Sequence, residues 1–126
     1  MKNKSIFVAC DTSNLKEVKK IIAQTKTNQL KILPKFGMQF FYSKHGRNFL
    51  QKIKNEFWLD LKINDIPQTA LSAIDSLKDL KKCKYITVHA NGGLDMLKAV
   101  KKHSKKINKN LKVLGVTILT LSLIHI

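Results

Sequence analysis

Arginine, cysteine and long apolar runs are all scarce in this chain of 126 residues. Arg47 is the one arginine among 24 basic residues, and arginine is the usual residue for bidentate contacts with bases and phosphates. Cys10 and Cys83 are isolated, with no Cys-x-x-Cys or Cys/His cluster, so neither a disulfide framework nor a zinc site is predicted. No apolar run approaches the roughly 20 residues of a membrane-spanning helix, so no membrane span is predicted.

The most unusual feature of the composition is its net charge of +16. Most of the lysines fall where predicted helices present their outer faces, so a lysine-rich surface explains the charge more simply than a nucleic-acid groove does. A positive field also raises the encounter rate of small phosphorylated anions. The amino-terminal sequence MKNKSIFVACD has a shorter apolar stretch than a signal peptide, which predicts a cytoplasmic location. We expect no nucleic-acid partner and no membrane partner.

Apolar runs of β-type residues recur at intervals of roughly 24 to 28 residues, and each gap between them holds a helical pattern. The runs are Ile6–Cys10, Leu30–Leu33, Phe57–Leu61, Tyr85–His89 and Val113–Leu119. Strands that are apolar throughout and alternate with helices predict a parallel sheet covered on both faces. The chain is therefore expected to be an α/β protein, with a single domain over residues 1–126.

Helix starts are marked by cap residues and turn residues. The first gap opens with Asp11-Thr12-Ser13, which is favourable N-cap chemistry, and Pro67 suits a first helical position. Gly92-Gly93 precede the fourth helix, where two glycines more often form a turn than a phosphate-binding loop.

Two architectures fit five such strands: an open sheet of the flavodoxin type, or the first part of a (β/α)8 TIM barrel.

Both architectures place functional residues at the carboxyl ends of their strands, and ionisable residues lie at most of these ends. In an extended strand, residues two apart share a face, so Asp60 and Lys62 are expected to project together. Buried charges need partners, which Lys35 and Asp65 would supply in an alternating array. Two alternatives stay open, since Asp65 is also placed to cap the following helix, and Asp11 either caps a helix or binds a substrate hydroxyl.

With these residues assembled, the sequence resembles the orotidine 5′-phosphate decarboxylases from about Ile6 to Thr120. The segment Asp60–Thr69, DLKINDIPQT, is similar to the DxKxxDIPxT signature of that family. Weaker matches lie at the other strand ends: Val8–Asp11, Lys35–Gly37, Thr87–Ala90 with Gly92-Gly93, and Val116–Thr120. The resemblance implies the first half of a TIM barrel, about 4.5 β/α units.

The resemblance implies a decarboxylation of orotidine 5′-phosphate to UMP, in de novo pyrimidine synthesis, without a cofactor or a metal. Lys62 would donate a proton to the pyrimidine carbon as the carboxylate leaves, and its charge would stabilise the carbanion-like transition state. Asp60 would lie against the substrate carboxylate. Lys35 would contact the ribose and tie Asp60 into the charged array.

The resemblance also implies how the substrate is held. Asp11 would contact the ribose, and Thr69 and Thr120 would help to hold the substrate. Asp65 would reach into the site of a partner subunit, so that the family's homodimer shares its active sites. The related sugar-phosphate decarboxylases have the same DxKxxD array, but Ile66–Thr69 favours the orotidine branch.

Two departures from the family pattern concern the later part of the chain. The family's phosphate site, including its arginine, comes from the last strands, and Arg47 is no substitute for it. The apolar tail 121–126 does not match the family, which suggests a truncated reading frame. We therefore expect the isolated chain to associate through open sheet edges and to be inactive. A receiver-like signalling domain and a lysine-rich nucleic-acid module are the rival interpretations.

Overall fold

The computed structural model describes residues 4–119; Thr120 and the tail 121–126, both singled out above, lie outside this range. The elements alternate along the chain as the sequence predicts. They are β1 (Ser5–Ala9), α1 (Leu15–Gln24), β2 (Lys31–Gly37), α2 (Met38–Phe41), α3 (Gly46–Lys52), β3 (Phe57–Ile63), α4 (Pro67–Asp75), β4 (Cys83–His89), α5 (Leu94–Ile107) and β5 (Lys112–Val116). None of the helices in residues 4–119 is long and apolar enough to cross a membrane.

The strands form one parallel sheet in the order β1-β2-β3-β4-β5, which confirms the predicted α/β class. In this sheet β2 pairs with both β1 and β3. In a flavodoxin-type sheet β1 lies between β2 and β3 instead. The receiver-like alternative is therefore wrong, and the sequential order is that of a barrel sheet.

Contacts divide the chain into two compact units. The first unit runs up to Asp60 and includes Asp79–Tyr85, and the second comprises Leu61–Lys78 and the chain from Ile86 onward. The single domain over residues 1–126 stays a prediction.

Three strands are longer than predicted. β2 runs over Lys31–Gly37 rather than Leu30–Leu33, β3 continues to Ile63, and β4 begins at Cys83 rather than Tyr85. All three extensions contain charged residues, which interrupt the apolar pattern without ending the strand. As a result Lys35 lies inside β2 and not in the loop that follows it.

The core of the first unit is an aromatic cluster on one side of β2 and β3. Phe36 stacks on Phe40 with ring centroids 5.0 Å apart and meets Phe57 edge-on at 5.8 Å. All three side chains are fully buried. Because side chains alternate across a strand, the residues next to Phe36 and Phe57 in the chain, Lys35 and Trp58, face the other side of the sheet.

Pro34 lies in the middle of β2, where it has no N–H to donate. The register with β1 pairs Ser5–Ala9 with Lys31–Lys35, and the register with β3 pairs Lys35–Gly37 with Trp58–Asp60. The ladder to β3 thus begins immediately after the proline, as expected for a residue that removes a donor from the sheet.

The helix starts correct one expectation and confirm another. Asn14 is the N-cap of α1, and its side-chain oxygen accepts hydrogen bonds from the backbone N–H groups of Lys16 and Glu17, so Asp11 is not the cap. Pro67 occupies the first turn of α4 as predicted. The N-cap of α4 is Ile66, so the alternative that Asp65 caps this helix is removed. The Asp65 carboxylate instead accepts a hydrogen bond of 2.7 Å from the Ile66 N–H.

In the second unit, α4 and α5 pack against each other, and His103 Nε2 lies 3.2 Å from Asp75 Oδ1 between them. The turn before α5 needs glycine at position 93 because of its backbone conformation, and position 92 is closely packed against the end of a methionine side chain. Gly93 has a φ of 92°, and a Cβ on Gly92 would lie 2.3 Å from the Met96 side chain. This geometry fits the interpretation of Gly92-Gly93 as a turn.

The β1 edge leads to a prediction about association. Ile6 on β1 is 45% exposed, and Leu30, outside any strand, is also 45% exposed. A charged residue on an open edge strand blocks strand pairing between molecules. Ile6→Lys is therefore expected to shift the chain towards the monomer, measured by size-exclusion chromatography with light scattering. Leu30→Lys is the matched control and should leave the association unchanged; an equal effect of both substitutions would contradict edge pairing.

The two buried thiols lead to a prediction about pH. Burial raises the pKa of the Cys83 thiol to about 12, and burial together with the Asp11 charge raises the pKa of Cys10 to about 11. Above about pH 9 the unfolded chain therefore loses thiol protons that the folded chain keeps, so the free energy of unfolding falls as pH rises. Below that pH the contribution is fully present.

Urea denaturation of the chain and of Cys83→Ala, at pH 8 and at about pH 10, isolates the effect of one thiol from that of the lysines. The chain is expected to lose about 1 kcal/mol more than the variant between these two values. Equal losses in the two proteins would show that the Cys83 thiol does not have this raised pKa.

Candidate active site

Lys35 and Asp60 form an ion pair on the face of the sheet opposite the aromatic cluster. Lys35 Nζ lies 3.7 Å from Asp60 Oδ2, and both side chains are mostly buried. The register brings them together, because Lys35 pairs with Trp58 and Gly37 pairs with Asp60. The pairing that the sequence predicts between these two residues is present, between Lys35 inside β2 and Asp60 in the middle of β3.

Trp58, a residue of β3, belongs to the same face. Lys35 Nζ lies 5.6 Å from the centroid of the Trp58 ring, within the range of a cation–π contact. Phe7 meets the Trp58 ring edge-on at 5.0 Å. The Trp58 Nε1 atom is buried and has no hydrogen-bond partner among the described residues. Trp58 lies two residues before Asp60 in the strand, and this spacing indicates that its side chain shares the face of the ion pair.

Asp11 lies just beyond the end of β1 and is exposed. The backbone ladder to β2 continues to the preceding residue, since the Cys10 N–H donates to the Lys35 carbonyl at 2.9 Å. With Asn14 as the cap of α1, the capping alternative for Asp11 is removed. Its contact with a substrate hydroxyl stays a prediction.

Lys62, in the second unit, has an unusual backbone conformation. Its φ is 49°, and it is the one non-glycine residue with positive φ in the part of the chain that the structure describes. The Lys62 N–H donates a hydrogen bond of 2.9 Å to Thr87 Oγ1, and Thr87 is a buried residue of β4. The alternation argument for Asp60 and Lys62 assumes an extended backbone, so their shared face stays a prediction.

Asp65 and Thr69 are both exposed, in the loop before α4 and in its first turn. The Asp65 carboxylate accepts a hydrogen bond from the neighbouring Ile66 N–H. Of the predicted array, the structure thus brings Lys35 and Asp60 into contact in the first unit, and it places Lys62 and Asp65 in the second.

Arg47 lies on α3 and is engaged elsewhere. Its Nη2 contacts both carboxylate oxygens of Asp79, at 2.8 and 2.9 Å, and its guanidinium lies over the Phe41 ring. The expectation that Arg47 does not replace a phosphate-binding arginine stays a prediction. Within residues 4–119, no three His, Cys, Asp or Glu side chains are grouped so as to hold a metal ion.

Curated relatives resemble the chain over nearly its whole length. The protein named orotidine 5′-phosphate decarboxylase from Malacoplasma penetrans is 37% identical over 95% of this chain and 52% of its own length. The protein of the same name from Erythrobacter litoralis is 36% identical over 91% of this chain and 50% of its own. The chain spans about half the length of the curated relatives it matches.

A solved structure supports the barrel-type fold. An uncharacterized conserved protein from Geobacillus kaustophilus superimposes with a TM-score of 0.76 and 26% identity, over 93% of this chain and 55% of that one. The profile of the orotidine 5′-phosphate decarboxylase / HUMPS family matches residues 4–122. The charged strand ends, the sequential parallel sheet and this match show that the chain belongs to the orotidine 5′-phosphate decarboxylase / HUMPS family.

Proposed function

We propose that the chain supplies the proton-transfer part of a site that decarboxylates orotidine 5′-phosphate to UMP, in de novo pyrimidine synthesis. The observation that carries this proposal is the Lys35–Asp60 ion pair, which lies where parallel α/β folds hold their chemistry. Asp60 also opens the segment Asp60–Thr69, which has the family's signature. The names of the curated relatives support the same substrate.

In the proposed reaction the substrate carboxylate leaves as CO2, and the electron pair of the broken carbon–carbon bond stays on the ring carbon. The Lys62 ammonium gives its proton to that carbon, which yields UMP, and the neutral amine regains a proton from solvent. An ammonium beside the developing carbanion stabilises the transition state electrostatically. Because no electron sink beyond this charge is needed, the scheme uses no cofactor and no metal.

Asp60 lies against the departing carboxylate in this scheme. Its own carboxylate is 10% exposed and is paired with Lys35, so its charge is held in place before substrate arrives. Repulsion between the two carboxylates would end when CO2 leaves, which is a ground-state contribution to rate. Lys35 is proposed to contact the ribose while it balances the Asp60 charge.

The remaining predicted residues hold the substrate in this proposal. Asp11, Thr69 and Thr120 contact the ribose and the pyrimidine, and Asp65 reaches into the site of a second subunit in a homodimer. The exposed Asp65 side chain at the start of α4 is compatible with such a contact. We also propose a cytoplasmic location for this reaction.

The proposal predicts that the chain depends on a phosphate-binding region for activity, because binding energy from a remote phosphate supports chemistry at the reacting carbon. Residues 1–119 assayed alone are expected to release no measurable CO2 from labelled orotidine 5′-phosphate. The same residues joined to the second half of the Malacoplasma penetrans relative are expected to release it. A folded fusion that acts on a sugar phosphate and not on orotidine 5′-phosphate would favour the other branch of the family.

Within that fusion, Lys62→Ala is expected to lower kcat by about a hundredfold to a thousandfold, because it removes the charge that stabilises the transition state. Lys98→Ala is the matched control, since Lys98 is an exposed lysine on α5. Both variants lose one positive charge from the same unit, so a general electrostatic effect would lower both rates equally. That result would rule out Lys62 as the proton donor.

A further inference from the structure

We propose that Thr87 is a positioning residue for Lys62: its hydroxyl oxygen holds the Lys62 backbone in the left-handed conformation and thereby sets the direction of the lysine side chain. This inference rests on the proposed function, because Lys62 needs a fixed direction only if it donates the proton. It goes beyond that function in giving a role to a residue outside the set of site residues that the sequence predicts.

The first step is the backbone of Lys62. A lysine with a φ of 49° is unfavourable by itself, because the Cβ atom crowds the following carbonyl oxygen. Such a conformation persists only when the surrounding structure holds it. The conformation also turns the side chain away from the direction it would take in an extended strand. Whatever holds this φ therefore sets the direction in which the Lys62 side chain leaves the backbone.

The second step is the contact that holds it. Thr87 Oγ1 accepts the Lys62 N–H at 2.9 Å, across the 25 residues that separate them in sequence. Thr87 is 1% exposed, so water does not compete for this hydrogen bond. β-branched side chains have restricted χ1 rotamers, so the hydroxyl oxygen is fixed in position when the residue is buried in a strand. A fixed acceptor of this kind can select one conformation of the amide that reaches it.

Three variants separate positioning from simple packing. Thr87→Val keeps the branched shape and loses the acceptor, and Thr87→Ser keeps the hydroxyl oxygen. Ser104→Ala is the matched control, because Ser104 is also a 1% exposed hydroxyl residue of the second unit but donates to the Lys101 carbonyl. The variants thus differ in whether the Lys62 amide keeps its partner.

The first measurement is made by NMR on the chain itself and needs no activity. At positive φ the amide and α protons of a residue are close, so Lys62 is expected to give a strong intraresidue NOE between them. This NOE should weaken in Thr87→Val and persist in Thr87→Ser and Ser104→Ala. A strong NOE that persists in Thr87→Val would overturn the proposal.

A second measurement covers the case in which Thr87→Val fails to fold. In the unsubstituted chain the Lys62 amide is expected to exchange with solvent slowly, because it donates to a buried oxygen. Exchange at the rate of an exposed amide would overturn the proposal without any variant.

The kinetic consequence is measured in the fusion described above. Thr87→Val is expected to lower kcat by about tenfold to a hundredfold with little change in KM, since a displaced proton donor affects chemistry more than binding. Thr87→Ser should recover most of this loss. An inactive unsubstituted fusion with the expected NOE pattern would count against the proposed function and not against the role of Thr87. Unchanged kcat in Thr87→Val of an active fusion would contradict the positioning role.

Discussion

A carboxylate that is almost shielded from water places the strongest constraint on this molecule. Asp60 is 8% exposed, and a buried charge is tolerated only when an opposite charge and hydrogen bonds accompany it. Lys35 supplies that charge, so β2 has to continue past its apolar part and β3 has to lie in one register against it. Removing one partner of a buried pair typically destabilises a protein by about 3–5 kcal/mol. Charge balance at one point therefore fixes the geometry of two strands.

Much of the fold was predictable because apolar strands and helical patterns alternate clearly along the sequence. The ends of the elements were less predictable. Hydropathy predicts that the strand ends before Lys35, because a charged residue interrupts the apolar pattern. The strand continues through Lys35 because its charge is paired. Asp11 and Asn14 both have side chains that suit an N-cap. Which of them begins the helix depends on where the chain leaves β1, and in the structure it is Asn14.

For the site residues, too, some features could be predicted from the sequence and others could not. That Asp60 and Lys35 would meet could be predicted, because burial of one charge demands another. The conformation of Lys62 could not, since it depends on a hydroxyl 25 positions away, and no local pattern indicates a positive φ in a lysine. Hydropathy alone does not show that Trp58 shares a face with the ion pair, whereas its spacing of two residues from Asp60 in the strand does. Sequence patterns thus predict which residues are brought to the strand ends better than how each is oriented.

The proline in β2 has a consequence for how firmly the site is anchored. Up to and including Lys35 the strand is paired with β1, and from Lys35 onward it is paired with β3, so Lys35, which follows Pro34, belongs to both registers. Local opening of the first part of β2 therefore leaves the second part attached, and the reverse also holds. The backbone of Lys35 stays tethered on one side in either event. The most constrained residue of β2 is therefore Lys35, which follows the proline and balances the charge of Asp60.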